Sequence, residues 1–592
     1  MSSLSLEGRH RVTYRHMTAD GLVSAVETWI EDDPEPRDRA ELRDLLDRNA
    51  RDELHARFSE RLHFGTAGLR GHRAAGPSGM NVATVRRASA GLAAYLAATV
   101  PHAAQAGVVI GCDARHGSQR FADETARVIS GAGIRVKRLP AQLPTPVLAF
   151  AVRHLNCAAG VMITASHNPP QDNGYKVFLG HGAQIAPPAD TEISVAIGDV
   201  GSLAAVPLGG LGEAVGDGIV DDYVTAIVGA LPTAGAHEIE VVYTPLHGVG
   251  RDVLLAAFSR VGFAPPHVVL AQGDPDPDFP TVANPNPEEP GVLDLAIADA
   301  RRLGADLVLA NDPDADRLAV AIPCAGDAAG WRVLRGDEVG ALLGDFLLCR
   351  TSDPRVALVV STVVSSSLLG HVAHAAGAIY VETLTGFKWI MHDSAAHTEG
   401  RFLFGYEEAI GYAVNDIVRD KDGISAALVV AGIAADAKQQ GLTIADRLDD
   451  IARRYGLYAT QQFSLELPGE AAAQRMSEIM AALRRTPPSE LLGHAVTEVS
   501  DVAAGTRRTG DGDQPGLRLP RSDLLVWHAG QRIRVVIRPS GTEPKLKVYL
   551  QVVVPAGDLT DVVAARASCS GELERLAREL RALLGVPEAV SS

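Results

Sequence analysis

Short apolar runs that each end in a polar loop organise this chain. Gly107-Val108-Val109-Ile110-Gly111 and Gly160-Val161-Met162-Ile163-Thr164 predict buried strands, and residues 121–129 between them predict a helix, the alternation expected of a parallel α/β sheet. Loops after such strands emerge at the carboxyl edge of the sheet, where ligands usually bind. A Gly-rich stretch, 201–218, predicts a linker before a second unit. That unit takes Ile239-Glu240-Val241-Val242-Tyr243 and Asp306-Leu307-Val308-Leu309-Ala310 as strands, the latter leading into an Asp-rich loop. A third unit starts near Gly336, includes the apolar run 356–360, a turn at Thr385-Gly386-Phe387-Lys388 and a Glu-Glu loop, and ends near Tyr455. The last segment differs, because the β-branched runs 532–537 and 546–554 flank a single loop, an α+β hairpin signature. Residues 505–520, with several Gly and Pro, predict a mobile surface excursion. Ahead of all these, residues 20–62 are rich in charge and helix formers and predict helices packed outside the first domain.

Composition agrees with several domains. At about 100 to 200 residues each, a chain of 592 residues holds roughly three to five, and 46% hydrophobic with 21% charged residues supplies several cores. The boundaries drawn from the patterning are 1–210, 211–325, 326–455 and 456–592. A net charge of -17 opposes nucleic acid and anionic membranes as partners. It does not oppose a phosphorylated small molecule, which needs only a local cluster of cations and backbone N–H groups. Cys112, Cys157, Cys324, Cys349 and Cys569 contain no C-x-x-C pair and read as reduced, mostly packing residues. With no apolar h-region at the N-terminus and no apolar run of about 18 residues, the expectation is a cytoplasmic protein.

Four loops carry candidate chemistry. Ser166 follows an apolar strand and precedes Asn168-Pro169, and proline disfavours helix at Asn168, so the serine hydroxyl sits on an irregular loop where it can exchange a phosphoryl group or simply decorate a turn. His167 does not by itself make a Ser-His pair, because adjacent side chains in an extended segment point apart. In Asn311-Asp312-Pro313-Asp314-Ala315-Asp316-Arg317 the alternate aspartates can converge on one hard cation such as Mg²⁺, against a solvated acidic turn or a calcium loop. A phosphate on Ser166 would complete the coordination. Arg538-Pro539-Ser540-Gly541-Thr542-Glu543-Pro544-Lys545 offers guanidinium, hydroxyl and backbone N–H groups to phosphate oxygens, and also fits a hairpin turn with incidental charges. Glu407 and Glu408 can accept hydrogen bonds from sugar hydroxyls, as they can from water.

Taken in order from Phe64-Gly65-Thr66-Ala67-Gly68-Leu69-Arg70-Gly71 to Arg538-Pro539-Ser540-Gly541-Thr542-Glu543-Pro544, these motifs resemble the α-D-phosphohexomutase superfamily over nearly the whole chain. The resemblance implies four domains around a central cleft, three α/β and a C-terminal TBP-like α+β domain. It makes Ser166 the phosphorylated serine, and Asp312, Asp314 and Asp316 the ligands of one Mg²⁺ together with the Ser166 phosphate. Arg70, Asn168, Lys176 and Arg317 would line the reaction centre, and Lys176 or His167 would move the proton. Thr385, Lys388 and Glu407 would meet the sugar, while Arg538, Ser540, Gly541 and Thr542 would hold the non-transferring phosphate. The implied reaction interconverts hexose 1- and 6-phosphates of mannose or glucose through a sugar 1,6-bisphosphate, which also serves as activator.

One departure is Ala409, where many hexose-specific members have serine after the paired glutamates. Losing a hydroxyl partner shifts relative affinity by about 1 to 2 kcal/mol, roughly a decade. With Thr385-Gly386-Phe387-Lys388-Trp389 this looks like the phosphoglucomutase-2-like subgroup, some of whose members prefer pentose phosphates. A phosphopentomutase is therefore the rival expectation, followed by a sugar bisphosphate synthase and a non-catalytic phosphosugar-binding protein. A monomer or homodimer is expected.

Overall fold

Strands buried on both faces read as continuous apolar runs, and the centre of the first sheet is built from two of them. In the computed structural model, which describes residues 18–65, 67–232, 235–324, 330–397, 399–467, 472–510, 512–515, 517, 519–540 and 545–585, Val108–Cys112 and Ala159–Ile163 are fully buried and pair in parallel. Val136–Arg138 continues the parallel side, while Asp172–Leu179 and then Leu69–His72 add antiparallel strands on the other. The helices Val82–Thr99, Ser118–Gly131 and Thr145–His154 cover the faces. Asn81 caps the first of these, its side chain accepting from Thr84 N at 2.8 Å.

A second sheet follows the same rule. Leu307–Ala310, buried throughout, pairs in parallel with Val241–Thr244 and antiparallel with Ala319–Pro323. The N-terminal helices Ala19–Asp32, Pro36–Asp47 and Arg51–Phe58 form a small core of Leu22, Val26, Ile30, Leu42, Leu45, Leu54 and Phe58, in the segment predicted to be helical.

The Gly-rich stretch 201–218 is not a free linker. It contains the 3₁₀ turn Leu203–Ala205 and the short strand Glu213–Ala214, which pairs with Lys137 and Arg138. Gly209 N donates to Arg127 O at 2.8 Å, and a Cβ on Gly131 would stand 2.1 Å from Pro207 O. Glycine serves close backbone approach here as well as turning.

The chain divides into two compact units, residues 1–333 with 411–436, and residues 334–410 with 437–592. Residues 411–436, within the third domain by sequence, thus pack in the first unit. Gln184 Nε2 donates to Asp420 at 2.6 Å, Tyr223 OH donates to Asp422 at 2.8 Å, and a Cβ on Gly423 would lie 2.2 Å from Arg317 O.

In the second unit, Ala357–Thr362 lies between Ile379–Thr383 and Arg401–Glu407, all parallel. The C-terminal sheet is antiparallel, running Leu457–Glu466, Lys545–Val554, Ile533–Pro539, Leu525–Ala529 and Glu498–Asp501. Thr506–Thr509 and Gly512–Pro515 extend it, so the stretch expected as a mobile excursion supplies two more strands. Gly505, at φ 66°, makes the reversal and Arg507 pairs with Glu498 across the ladder at 2.6 Å. The helix Val562–Leu583 packs on this sheet over Leu573, Leu576 and Leu580, N-capped by Asp561.

Buried Arg534 joins the third and fourth sheets. It donates to Val363 O at 2.7 Å, Ser365 O at 3.0 Å and Glu382 Oε1 at 2.9 Å. Gln551 Oε1 accepts from Ser366 Oγ and Ser367 N nearby. Arg534→Met would leave two carbonyls and a carboxylate without this donor, so a loss of about 3 kcal/mol is expected. Urea denaturation followed by tryptophan fluorescence measures it, and an unchanged midpoint would contradict the bracing role.

Candidate active site

Ser166 is held in a backbone state that few non-glycine residues adopt. Beyond Ala159–Ile163 the chain turns, Ser166 takes φ 52°, and Thr164 Oγ1 accepts from its N–H at 2.9 Å. Such a conformation costs on the order of 1 to 3 kcal/mol and persists only where its surroundings enforce it. Ser166 Oγ donates to Asp312 Oδ2 at 2.6 Å and lies 3.1 Å from His167 Nδ1. The expectation that neighbouring side chains diverge here is therefore corrected: the left-handed turn replaces the extended geometry and brings the serine and histidine together. Asn168 accepts from Arg70 Nη1 at 3.0 Å and donates to Asp172 at 2.8 Å.

The strand Leu307–Ala310 delivers the aspartate loop to the same place. Ala315, at φ 55°, donates its N–H to Asp312 O at 2.8 Å, and this turn sets ligand atoms of Asp312, Asp314 and Asp316 within 4.8 Å of one another. All three are buried. Asp314 Oδ2 accepts from Lys176 Nζ at 2.7 Å and Thr145 Oγ1 at 2.6 Å; Asp316 Oδ2 accepts from Lys176 Nζ at 2.9 Å and pairs with Lys421 at 3.3 Å. Arg317 N donates to Asp312 Oδ1 at 3.0 Å, and the Arg317 guanidinium pairs with Glu288 at 3.5 Å.

Burial and the neighbouring Asp314 and Asp316 push Asp312 well above the usual carboxylate range. Asp316 faces the same burial, but Lys176, Lys421 and Arg317 outweigh it and hold it low. For Asp314, too, burial and Asp316 oppose ionisation, and Lys176 with Thr145 prevails. Burial works against the Lys176 cation, yet Asp314 and Asp316 raise its pKa. His167 is driven well below its ordinary value by burial and then by Arg317 and Arg70, so it is neutral.

Asp314 Oδ1 and Asp316 Oδ1 are buried without a hydrogen-bond partner. Two unpartnered anionic oxygens in an all-oxygen set fit a hard divalent cation such as Mg²⁺. Sequence reasoning missed Arg115, Thr145 and Lys421. Of these only Lys421, in Asp420-Lys421-Asp422, stood in a charged motif that could have drawn attention.

The other predicted residues lie in the second unit. Glu407 ends Arg401–Glu407 and is buried, and Ile410 turns the loop at φ 52°. Glu408 accepts from Thr362 Oγ1 at 3.3 Å and Ser365 Oγ at 3.4 Å. Burial, then Glu407 and Asp337, push it up to about 7, with Arg538 pulling the other way. Arg538 closes Ile533–Pro539, donates to Tyr549 OH at 3.3 Å and to Pro539 O at 3.1 Å, and keeps a buried Nε without a partner. Ser540 N donates to Lys545 O at 2.7 Å. Gly541 and Thr542 lie outside the described residues. Thr385 is half-buried in the turn before Phe387–Ala396, and Lys388 is in the first turn of that helix.

A serine in a left-handed turn with its hydroxyl bonded to one of three clustered carboxylates that could hold a divalent cation is an arrangement suited to group transfer. Models of the phosphoglucomutase/phosphomannomutase family match in order: alpha/beta/alpha domain I at 61–201, domain II at 221–326, domain III at 335–455 and the C-terminal domain at 522–568. The chain is 43% identical over 479 residues to a Haemophilus influenzae protein named "Probable phosphomannomutase", covering 80% of this chain and 93% of that protein. It is 35% identical over 570 residues to the Homo sapiens protein named "Phosphopentomutase", covering 90% and 91%. An X-ray structure of a phosphoglucomutase/phosphomannomutase family protein from Burkholderia thailandensis shares the fold at a TM-score of 0.65 and 20% identity, covering 88% of this chain and 97% of that one. The chain belongs to the phosphoglucomutase/phosphomannomutase family, with its four-domain α/β architecture. Its reaction is of the phosphomutase type, an intramolecular phosphoryl transfer. Among the described residues no helix is long and apolar enough to cross a membrane.

Two outcomes follow from these charges. If the three aspartates hold the cation, Asp312→Asn exchanges a carboxyl ligand for a neutral amide, and the affinity for Mn²⁺, read by electron paramagnetic resonance, should fall by on the order of tenfold or more; unchanged binding would place the cation elsewhere. Between the ordinary glutamate value of 4.5 and about 7, folded Glu408 keeps a proton that the unfolded chain has released. Its contribution is complete below about 4.5, and stability is lost as pH rises to about 7. Glu408→Gln should therefore gain in melting temperature relative to wild type from pH 5 to pH 8, whereas parallel curves would contradict the shift.

Proposed function

We propose that the chain is a Mg²⁺-dependent hexose phosphate mutase that interconverts the 1- and 6-phosphates of mannose, glucose or both. The observation that carries the reading is Ser166 in a left-handed turn, hydrogen-bonded to Asp312 of the aspartate cage. In this reading the phosphorylated Ser166 gives its phosphoryl group to the free sugar hydroxyl. The P–Oγ bond breaks with its electron pair returning to Ser166 as the new P–O bond to sugar forms. Neutral His167 is the better placed base for the hydroxyl proton, since Lys176 is held as a cation by two carboxylates. The 1,6-bisphosphate then turns around and returns its other phosphate to Ser166.

Asp312, Asp314 and Asp316 would hold one Mg²⁺, which supplies positive charge to the phosphoryl oxygens when bound. Arg70, Asn168, Lys176 and Arg317 orient the phosphoryl group. Thr385, Lys388 and Glu407 meet the sugar, and Arg538, Ser540, Gly541 and Thr542 hold the distal phosphate. A sugar 1,6-bisphosphate primes the enzyme, which works as a cytoplasmic monomer or homodimer with domains 1–210, 211–325, 326–455 and 456–592.

A pentose reading has its own support in Ala409 and in the relative named "Phosphopentomutase". The hexose reading rests on the higher identity to the relative named "Probable phosphomannomutase". kcat/KM for glucose, mannose and ribose 1-phosphates, with Mg²⁺ and a trace of bisphosphate, decides between them. Hexose turnover should exceed pentose turnover and fall at least about a thousandfold in Ser166→Ala, a loss of about 4 kcal/mol in transition-state stabilisation. A pentose preference would reassign the substrate, and a fully active Ser166→Ala would remove the phosphoserine.

A further inference from the structure

The loop that carries Ser166 bears several backbone carbonyls outside any strand ladder, and buried carbonyls require donors. One side chain satisfies three of them, together with the carbonyl of Asp172 at the start of the next strand. Arg115, 4% exposed, donates through Nη2 to Ser166 O at 2.6 Å and Asn168 O at 2.5 Å. Through Nη1 it donates to Pro169 O at 2.7 Å and Asp172 O at 3.3 Å. Its own position is fixed twice over. Asp113 lies 3.4 Å from its Nε and accepts from its backbone N–H at 3.0 Å, and the same carboxylate accepts from Ser118 Oγ at 2.6 Å at the start of Ser118–Gly131. On its other side the Phe279 ring lies with its centroid 4.9 Å from the guanidinium carbon. Phe279 is buried and left-handed at φ 46°, in the segment after the short strand His267–Val268 of the second sheet. Arg115 thus ties the serine loop to its own sheet and to a segment of the next.

We propose that Arg115 is a positioning residue for phosphoryl transfer: its planar fork holds the peptide of Ser166 in the left-handed turn that aims Oγ at the aspartate cage. The inference rests on the reading of Ser166 as the phosphoryl carrier. Arg115 makes its bonds to carbonyls on the backbone side of the loop, so its contribution is to geometry. A displacement of about 1 Å at a reacting atom can cost on the order of a hundredfold in rate. Lysine keeps the charge but cannot fork across four carbonyls, which separates position from charge.

The experiment uses the full chain with Mg²⁺. Wild type, Arg115→Lys and Arg115→Met are incubated with glucose 1,6-bisphosphate, phosphoserine is located and quantified by mass spectrometry, and transfer to glucose 1-phosphate is followed in a single turnover. Counted per phosphorylated serine, transfer should fall about a hundredfold in both variants with KM within about threefold of wild type. Lysine should recover melting temperature more than rate. Wild type without phosphate on Ser166 would overturn the functional reading. Labelled wild type with either folded variant transferring within threefold of it, or with losses carried by KM alone, would overturn the role of Arg115. If Arg115→Met does not fold, Arg115→Lys decides the matter alone.

Discussion

Three carboxylates buried within 4.8 Å of one another are the constraint around which the first unit is arranged. Two unit charges about 4 Å apart repel by roughly 4 kcal/mol at an effective dielectric of 20, and burial removes the water that would screen them. The chain answers with cations drawn from distant segments. Lys176 comes from the antiparallel strand Asp172–Leu179, and Lys421 comes from the stretch that returns to the first unit after the third sheet has been built. That return is anchored by polar contacts at Asp420 and Asp422 on either side of the lysine. The passage of residues 411–436 through the first unit is therefore tied to the electrostatics of the aspartate cage.

What the sequence made legible is what is contiguous in it. Strands such as Ala159–Ile163 and Leu307–Ala310 announce themselves as apolar runs, and the loop after each keeps its functional residues within a few positions. Arg115 and Thr145 are different: Arg115 meets carbonyls more than fifty residues away and Thr145 meets Asp314 across 169 positions. No local pattern distinguishes them from a surface arginine or a helix-start threonine. The Ser166–His167 contact was missed for a local reason, since the sequence does not display the positive φ that creates it. Glycine-rich text also misled in 201–218, where a Cβ on Gly209 would stand 2.5 Å from Ser130 Oγ and one on Gly212 2.4 Å from Val136 O, and in 505–520, where a glycine reversal adds strands to a sheet.

In the second unit the two loops proposed to meet the ends of the substrate are linked through the protein. Arg534, reaching from Ile533–Pro539, holds the carbonyls of Val363 and Ser365. Ser365 in turn donates to Glu408. Arg538, on the same strand as Arg534, lowers the Glu408 pKa while Glu407 raises it. One strand thus supports the phosphate loop at its end and the glutamate loop through a serine. On the proposed reading, recognition of the distal phosphate and of the sugar hydroxyls would share this one strand as support.

That shared support bears on Ala409. Without a serine hydroxyl at this position, the loop would, on the proposed reading, meet the sugar with carboxyl groups alone. An ionised carboxylate only accepts hydrogen bonds, whereas a protonated one also donates. Glu408, with a pKa of about 7, holds both forms at neutral pH. On the proposed reading it can supply the donor that a serine would otherwise provide, and Arg538 beside it makes that donor responsive to phosphate bound at the neighbouring loop. A phosphate dianion there would offset the guanidinium charge and favour the protonated form. On that reading, occupancy of the phosphate site would favour the form of Glu408 that can donate to an acceptor oxygen of the sugar.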